Sequence, residues 1–235
     1  WLLACKAQFG QRFGSVQEAN QMILSDLGNV GYSPKLYEKY STYIQIIASL
    51  IIFPIFLFLF TRDYRHGMYE IVYSQPMNSS KFLILRYLGA FIPLMLYLYG
   101  LGLILNLISA ARFVAMGYAY EYTLFSPYFM TYIFPTVFFF SALLMVLMLL
   151  IKKATAVFPL YIIFVILNVT PNVFGSNGGW IKAISPIIRL DGAPNMMQDI
   201  MVNRIVCLAL GAAFLALSCK IYKQMKTDMR KGITI

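Results

Sequence analysis

Five stretches of this chain contain no Asp, Glu, Lys, Arg or His: Tyr40 to Thr61, Tyr87 to Ala111, Tyr122 to Ile151, Ala154 to Ile181, and the shorter Ile205 to Cys219. A helix needs about 20 mainly apolar residues to cross the hydrocarbon of a bilayer, so four of these runs reach that length unaided. The fifth reaches it if Arg204 and Lys220 carry their charged heads to opposite interfaces while their stems stay in hydrocarbon. Of the 235 residues, 60% are hydrophobic and 12% charged. A soluble domain has about a quarter charged residues, so lipid must cover much of this surface.

The expected fold is all-α, a polytopic membrane helix bundle with five complete spans. The apolar opening Trp1 to Cys5 reads as the end of a truncated first span, which would make six in the complete protein. Residues 6–39 then form an outer loop, with a short helix starting at Ser15, where Glu18 completes a capping box. Spans follow at 40–61, 87–111, 122–151, 154–174 and 201–222, with a cytoplasmic tail at 223–235. Residues 175–200 carry Gly175, Gly178, Gly179, Pro186, Gly192 and Pro194 around an apolar patch, the composition of short outer re-entrant helices.

Eleven of the nineteen Lys and Arg residues fall on one side if residues 62–86 are cytoplasmic, against eight on the other, and the loops on the richer side are shorter. The positive-inside rule therefore places the C-terminus in the cytoplasm of a multi-pass cell-membrane protein. Tyr37, Tyr40, Tyr43, Tyr118, Tyr120, Tyr122, Tyr128 and Tyr132 crowd the run ends at headgroup depth. The net charge of +10 forms no continuous basic face, so nucleic acid is not an expected partner and membrane lipid is. Cys5, Cys207 and Cys219 lack a CxxC spacing and read as free thiols.

The chain lacks the parts that several catalytic classes need. There is no Gly-Lys dipeptide for a phosphate-cradling loop, and His66 is the single histidine, so histidine-based metal catalysis is excluded and no metal site is expected. No ionisable residue stands in mid-run, which argues against proton or ion coupling. The neutral polar residues Gln45, Ser49 and Asn168 read first as helix-to-helix hydrogen-bonding groups. Together with the kink-forming Pro54 and Pro159 they are the weak candidates for a substrate path. Pro93 and Pro135 also predict kinks, their freed carbonyls satisfied by neighbouring helices or by Ser and Thr.

The segment RDYRHGMYEIVYSQPMNSSKFLILR, Arg62 to Arg86, joins two spans. Tyr64, Met68, Ile71 and Val72 share a helical face, and Pro76 ends the helix, so a short amphipathic helix can lie along the interface there. Its residue order resembles the permease subunits of the ABC-2 family of ABC transporters. In that family a charged pair leaving one span is followed by Gly, Glu, a hydrophobic stretch, Pro, small polar residues and a basic residue entering the next; Asp63, Gly67, Glu70, Pro76, Ser79, Ser80 and Arg86 match in order. Met68 departs from it, standing where the family has Thr or Ser.

The resemblance implies a non-enzymatic permease that pairs with an identical or related second permease and docks two ABC ATPase subunits. ATP and Mg would be bound by those ATPases, and no cofactor by this chain. Arg62 to Pro76 would be the cytoplasmic coupling helix, with Arg62, Asp63, Arg65, Gly67, Glu70, Gln75 and Pro76 at the ATPase. The aromatic, uncharged spans favour export of an amphipathic or hydrophobic cargo, a toxin or antimicrobial peptide ahead of lipid-linked glycans and drugs. A non-transporting scaffold or sensor is the alternative from another class.

Overall fold

The chain is seen in a computed structural model that describes residues 31–65, 78–117, 119–151, 154–169, 185–188 and 197–230. Among these residues the structure is all-helical, with five helices and no strand: α1 (Tyr32–Arg65), α2 (Ser79–Ala115), α3 (Phe125–Ile151), α4 (Ala154–Val169) and α5 (Met197–Arg230). Four of them, α1, α2, α3 and α5, are long and apolar enough to cross a membrane, while α4 is a shorter apolar helix. The truncated span at 1–5, residues 6–30 of the outer loop expected at 6–39, Gly67, Glu70, Gln75 and Pro76 of the coupling segment, and most of 175–200 lie outside the described residues.

Helix α1 begins at Tyr32 rather than Tyr40. Gly31 takes a left-handed conformation (φ 81°) that turns the chain into the helix. Pro34 costs nothing in the first turn, where backbone N–H groups have no helical acceptor. Charge-free runs mark hydrocarbon, whereas a helix extends past it wherever capping permits, here through Lys35, Glu38 and Lys39. At the far end α1 continues to Arg65, so Arg62, Asp63 and Arg65 lie on its last turn. Helix α2 starts where the Asn78 side chain accepts from the Ser80 N–H (3.1 Å) and stops before Gly117, again left-handed (φ 84°).

The helices alternate in direction. Tyr37 at the start of α1 meets Asn106 late in α2, while Arg86 early in α2 donates to the Leu59 carbonyl late in α1 and sits over the Phe60 ring. In α3, Thr136 meets Gln45 and Ser141 meets Tyr87. In α4, Tyr161 donates to the Ser49 carbonyl at 2.6 Å. At the end of α5, Tyr222 stacks on Phe82, with centroids 6.1 Å apart. One end of the bundle therefore gathers Lys35, Glu38, Lys39, Arg112 and Glu121, and the other Lys81, Arg86, Lys220, Lys223 and Lys226. The two ends are called the tyrosine end and the basic end below.

Helix α3 is the hub. Inside the bundle 72% of its spanning window is buried, against 39% for α1 and 28% for α2 and α5, so it has protein on every side while the others face outward along one flank. Close approach depends on small residues, as expected where apolar burial gives no net drive between helices. A Cβ added at Gly211 of α5 would stand 2.6 Å from the Phe138 ring of α3, and one at Gly102 of α2 would stand 2.7 Å from the Tyr40 hydroxyl.

At Pro135, where a kink is expected, the helix widens. The turn before the proline, Phe129–Ile133, is π-helical, and the Phe134 N–H bonds back to the Phe129 carbonyl. The wider turn makes room for a ring that an ordinary helix would press against the preceding turn.

Candidate functional site

The tyrosine end holds a buried polar cluster contributed by α1, α3, α5 and the non-helical segment 185–188. A short irregular stretch at this depth has backbone groups that no helix satisfies, and it is tolerated where protein supplies the partners. Gln45 of α1 supplies two of them, both to Ile188. Its amide nitrogen donates to the Ser41 carbonyl (2.9 Å) and the Ile188 carbonyl (3.3 Å), and its amide oxygen accepts from the Ile188 N–H (3.2 Å). Asn203 of α5 donates to the Ser185 carbonyl (2.9 Å), and the Ser185 hydroxyl reaches Asn168 Oδ1 (3.3 Å) and the Ile187 carbonyl (3.1 Å).

Arg204 stands at the centre, 3% exposed. Its Nη1 donates to Thr136 Oγ1 (2.8 Å), the Tyr132 carbonyl (3.1 Å) and the Pro186 carbonyl (3.3 Å). The guanidinium also lies over the Tyr132 ring, 6.0 Å from its centroid. Thr136 links the parts: its hydroxyl lies 2.7 Å from the Pro186 carbonyl, 2.9 Å from that of Tyr132 and 3.1 Å from Gln45 Oε1. The π-helical turn and the guanidinium thus share the Tyr132 carbonyl. Among the described residues the groups that accept from Arg204 are neutral, although burying a cation costs several kcal/mol unless opposite charge or hydrogen bonds repay it.

This corrects the snorkelling expected of Arg204. The residue lies within the apolar stretch Ile200–Thr227, long enough to cross a membrane, and is buried inside the bundle. Its side chain turns into the bundle because acceptors there, the exposed ends of an irregular segment and a π-turn, exceed the donors available to them.

A second network closes the tyrosine end. The Tyr37 hydroxyl lies 2.8 Å from both Asn106 Oδ1 and the Glu121 carbonyl, Tyr120 donates to Asn106 Oδ1 at 2.6 Å, and the Glu121 N–H donates to Ser33 Oγ at 2.9 Å. Burial raises the pKa of Tyr120, in part offset by its hydrogen bond with Tyr37, so it stays a neutral donor. This network ties the α2–α3 connection to α1.

The structure divides the weak substrate-path residues. Gln45 and Ser49 are fully buried and Asn168 half-buried, and both Gln45 and Asn168 touch segment 185–188. Pro54 and Pro159 face outward, away from that cluster. Arg204, Thr136, Tyr132 and Pro186 were not singled out by sequence reasoning as site residues. Pro135 gave a partial signal, because Thr136 follows the predicted kink. Among the described residues, no three His, Cys, Asp or Glu side chains converge as a metal site would require. The arrangement holds a guanidinium among neutral oxygen acceptors. No family model, curated protein or solved structure matches the chain.

Proposed function

We propose that this chain is the transmembrane permease of an ATP-driven exporter of the ABC-2 type, working with a second permease and two copies of a separate ABC ATPase. The observation that carries the reading is the order Asp63, Gly67, Glu70, Pro76, Ser79, Ser80, Arg86 between two antiparallel apolar helices. The Arg86 contact to Leu59 brings the end of α1 and the start of α2 together at the basic end. The C-terminal part of α5 reaches the same end, as the Phe82 and Tyr222 stack requires. That end is the cytoplasmic one on this reading, where the positive charge is densest, and an ATPase acting on the segment between α1 and α2 would act on helices that lead to Gln45 and Asn106. The cargo is amphipathic or hydrophobic, a peptide ahead of a lipid-linked glycan or a drug.

The test is co-expression with candidate ABC ATPases, followed by inside-out vesicles and a fluorescent amphipathic peptide. The expected result is copurification of the two proteins and peptide accumulation that requires ATP. Replacing Glu70 by Ala should lower both at normal permease abundance, through loss of a charge-assisted contact of about 1.5 to 3 kcal/mol. Absence of copurification together with peptide movement indifferent to ATP would overturn the reading and favour a scaffold.

A further inference from the structure

A guanidinium carries five N–H donors in a fixed planar fork. In Arg204 those of Nη1 meet three oxygens, whereas Nε and Nη2 have no hydrogen-bond partner among the described residues, despite their burial. Nε and Nη2 lie on one edge of the fork, the edge whose two parallel N–H bonds match the paired oxygens of a carboxylate or phosphate. Four buried side-chain polar atoms lack partners among the described residues, and three are in this cluster: these two nitrogens and the Ser41 hydroxyl, one turn from Gln45. Buried polar groups are nearly always satisfied, and an unsatisfied one calls for an unseen water, ion or ligand.

The fork is also held still. Nη1 is pinned between the π-helical turn of α3 and the Pro186 carbonyl, which fixes the plane of the guanidinium and leaves the opposite edge set in one direction. The named contacts are neutral, so one positive charge is left to balance and a monoanion balances it. Arg204 lies in the first turns of its apolar stretch, at the end where Tyr128 and Tyr132 gather, and tyrosine is the residue type enriched at headgroup depth. A molecule reaching it there has an anionic head and an apolar body.

We propose that the Nε–Nη2 edge of Arg204 is the head-group receptor of an amphiphile-binding site that takes a monoanionic group with two free oxygens, either a carboxylate or a phosphodiester. Gln45 and Thr136 hold the receptor's other side, and Tyr132 covers its face. The site needs no ATPase and stands independently of the export reading.

Three single-chain amphiphiles test it: oleate, monooleoyl phosphatidylglycerol and uncharged monoolein, each added to the chain purified in an uncharged maltoside and read by native mass spectrometry. The wild type should retain one anionic amphiphile at least tenfold more tightly than monoolein. Preference for oleate assigns the site to carboxylates, and preference for the phosphatidylglycerol assigns it to phosphodiesters. Arg204→Lys keeps a cation but has no fork, and should lose that preference by tenfold or more. A readout on the wild type alone covers the case in which this variant does not fold. A fatty acid with a diazirine beside its carboxylate should label residues 132–136 or 201–207, and oleate should block the labelling while monoolein does not. Equal retention of all three amphiphiles, an Arg204→Lys variant that binds as the wild type does, or labelling confined to other segments would overturn the proposal. So would anion binding that appears only after Asp191→Asn or Asp199→Asn, because a carboxylate of the chain itself would then occupy the fork.

Discussion

Replacing Thr136 by Val changes almost no volume and removes the hydroxyl that joins α1, α3, α5 and segment 185–188. That oxygen accepts from Arg204 Nη1 at 2.8 Å, and its single proton goes to one acceptor at a time among the Pro186 carbonyl (2.7 Å), the Tyr132 carbonyl (2.9 Å) and Gln45 Oε1 (3.1 Å). Two hydrogen bonds are therefore lost, one of them to a charged group. A neutral bond between membrane helices averages about 0.6 kcal/mol, and one to a charged group about 1.5 to 3 kcal/mol. Nη1 keeps the Tyr132 and Pro186 carbonyls, which moves the charged bond to the low end of its range, so the expected cost is about 2 kcal/mol. Thr136→Ser keeps the hydroxyl and loses one methyl, a cost of about 1 kcal/mol. Unfolding of the purified variants in mixed maltoside and dodecyl sulfate micelles, followed by circular dichroism, should rank wild type above Ser and Ser above Val. A Val variant as stable as the wild type, or more stable than Ser, would show that the hydroxyl does not hold the cluster together.

Gly211→Leu should cost about 1 to 3 kcal/mol by overpacking, since its Cβ would stand 2.6 and 2.7 Å from ring atoms of Phe138, whereas Gly89→Leu, with nothing within 4 Å, should leave thermal stability and elution unchanged. Tyr161→Phe removes the 2.6 Å bond to the Ser49 carbonyl that ties α4 to α1, and should lower stability by about 0.6 kcal/mol, with about 1.7 as the ceiling, in the same micellar unfolding assay. Cysteines at positions 82 and 222, in a background with Cys5, Cys207 and Cys219 replaced by Ala, should be joined within one chain by a short bis-maleimide, because their native rings are 6.1 Å apart; failure to cross-link would count against the convergence of α2 and α5 at the basic end.

The bundle was legible because charge-free runs report solvent directly, and lipid admits few alternatives to helices. The ends of α1 were less so, since apolar length locates hydrocarbon while Gly31 and Pro34 decide where the helix starts. Gln45 and Asn168 could be singled out because a neutral amide in an apolar run needs a partner wherever it is. The identity of that partner could not be read: Ile188 lies 143 residues beyond Gln45, in a glycine- and proline-rich stretch whose composition predicts a connection but not its path.

Arg204 shows what local reading misses and why. A cation one turn inside a span has two ways to lower its free energy, reaching outward to water and headgroups or inward to protein oxygen, and the flanking residues Asn203 and Ile205 do not distinguish them. The decision is made by acceptors on other elements, beside Pro135 on α3 and in segment 185–188. The Pro135 ring is accommodated by the wide turn at Phe129–Ile133, the Tyr132 carbonyl in that turn accepts from outside its own ladder, and Thr136 one residue further stands beside it. Segment 185–188 then adds the Pro186 carbonyl on the other flank. Three oxygens converge on Nη1 from elements distant in sequence, and that convergence makes inward the favoured direction. The kink predicted from Pro135 and the cation assigned to the interface are thus parts of one arrangement. Substituting Pro135 should therefore disturb Arg204 less than substituting Thr136, whose hydroxyl contacts the guanidinium directly.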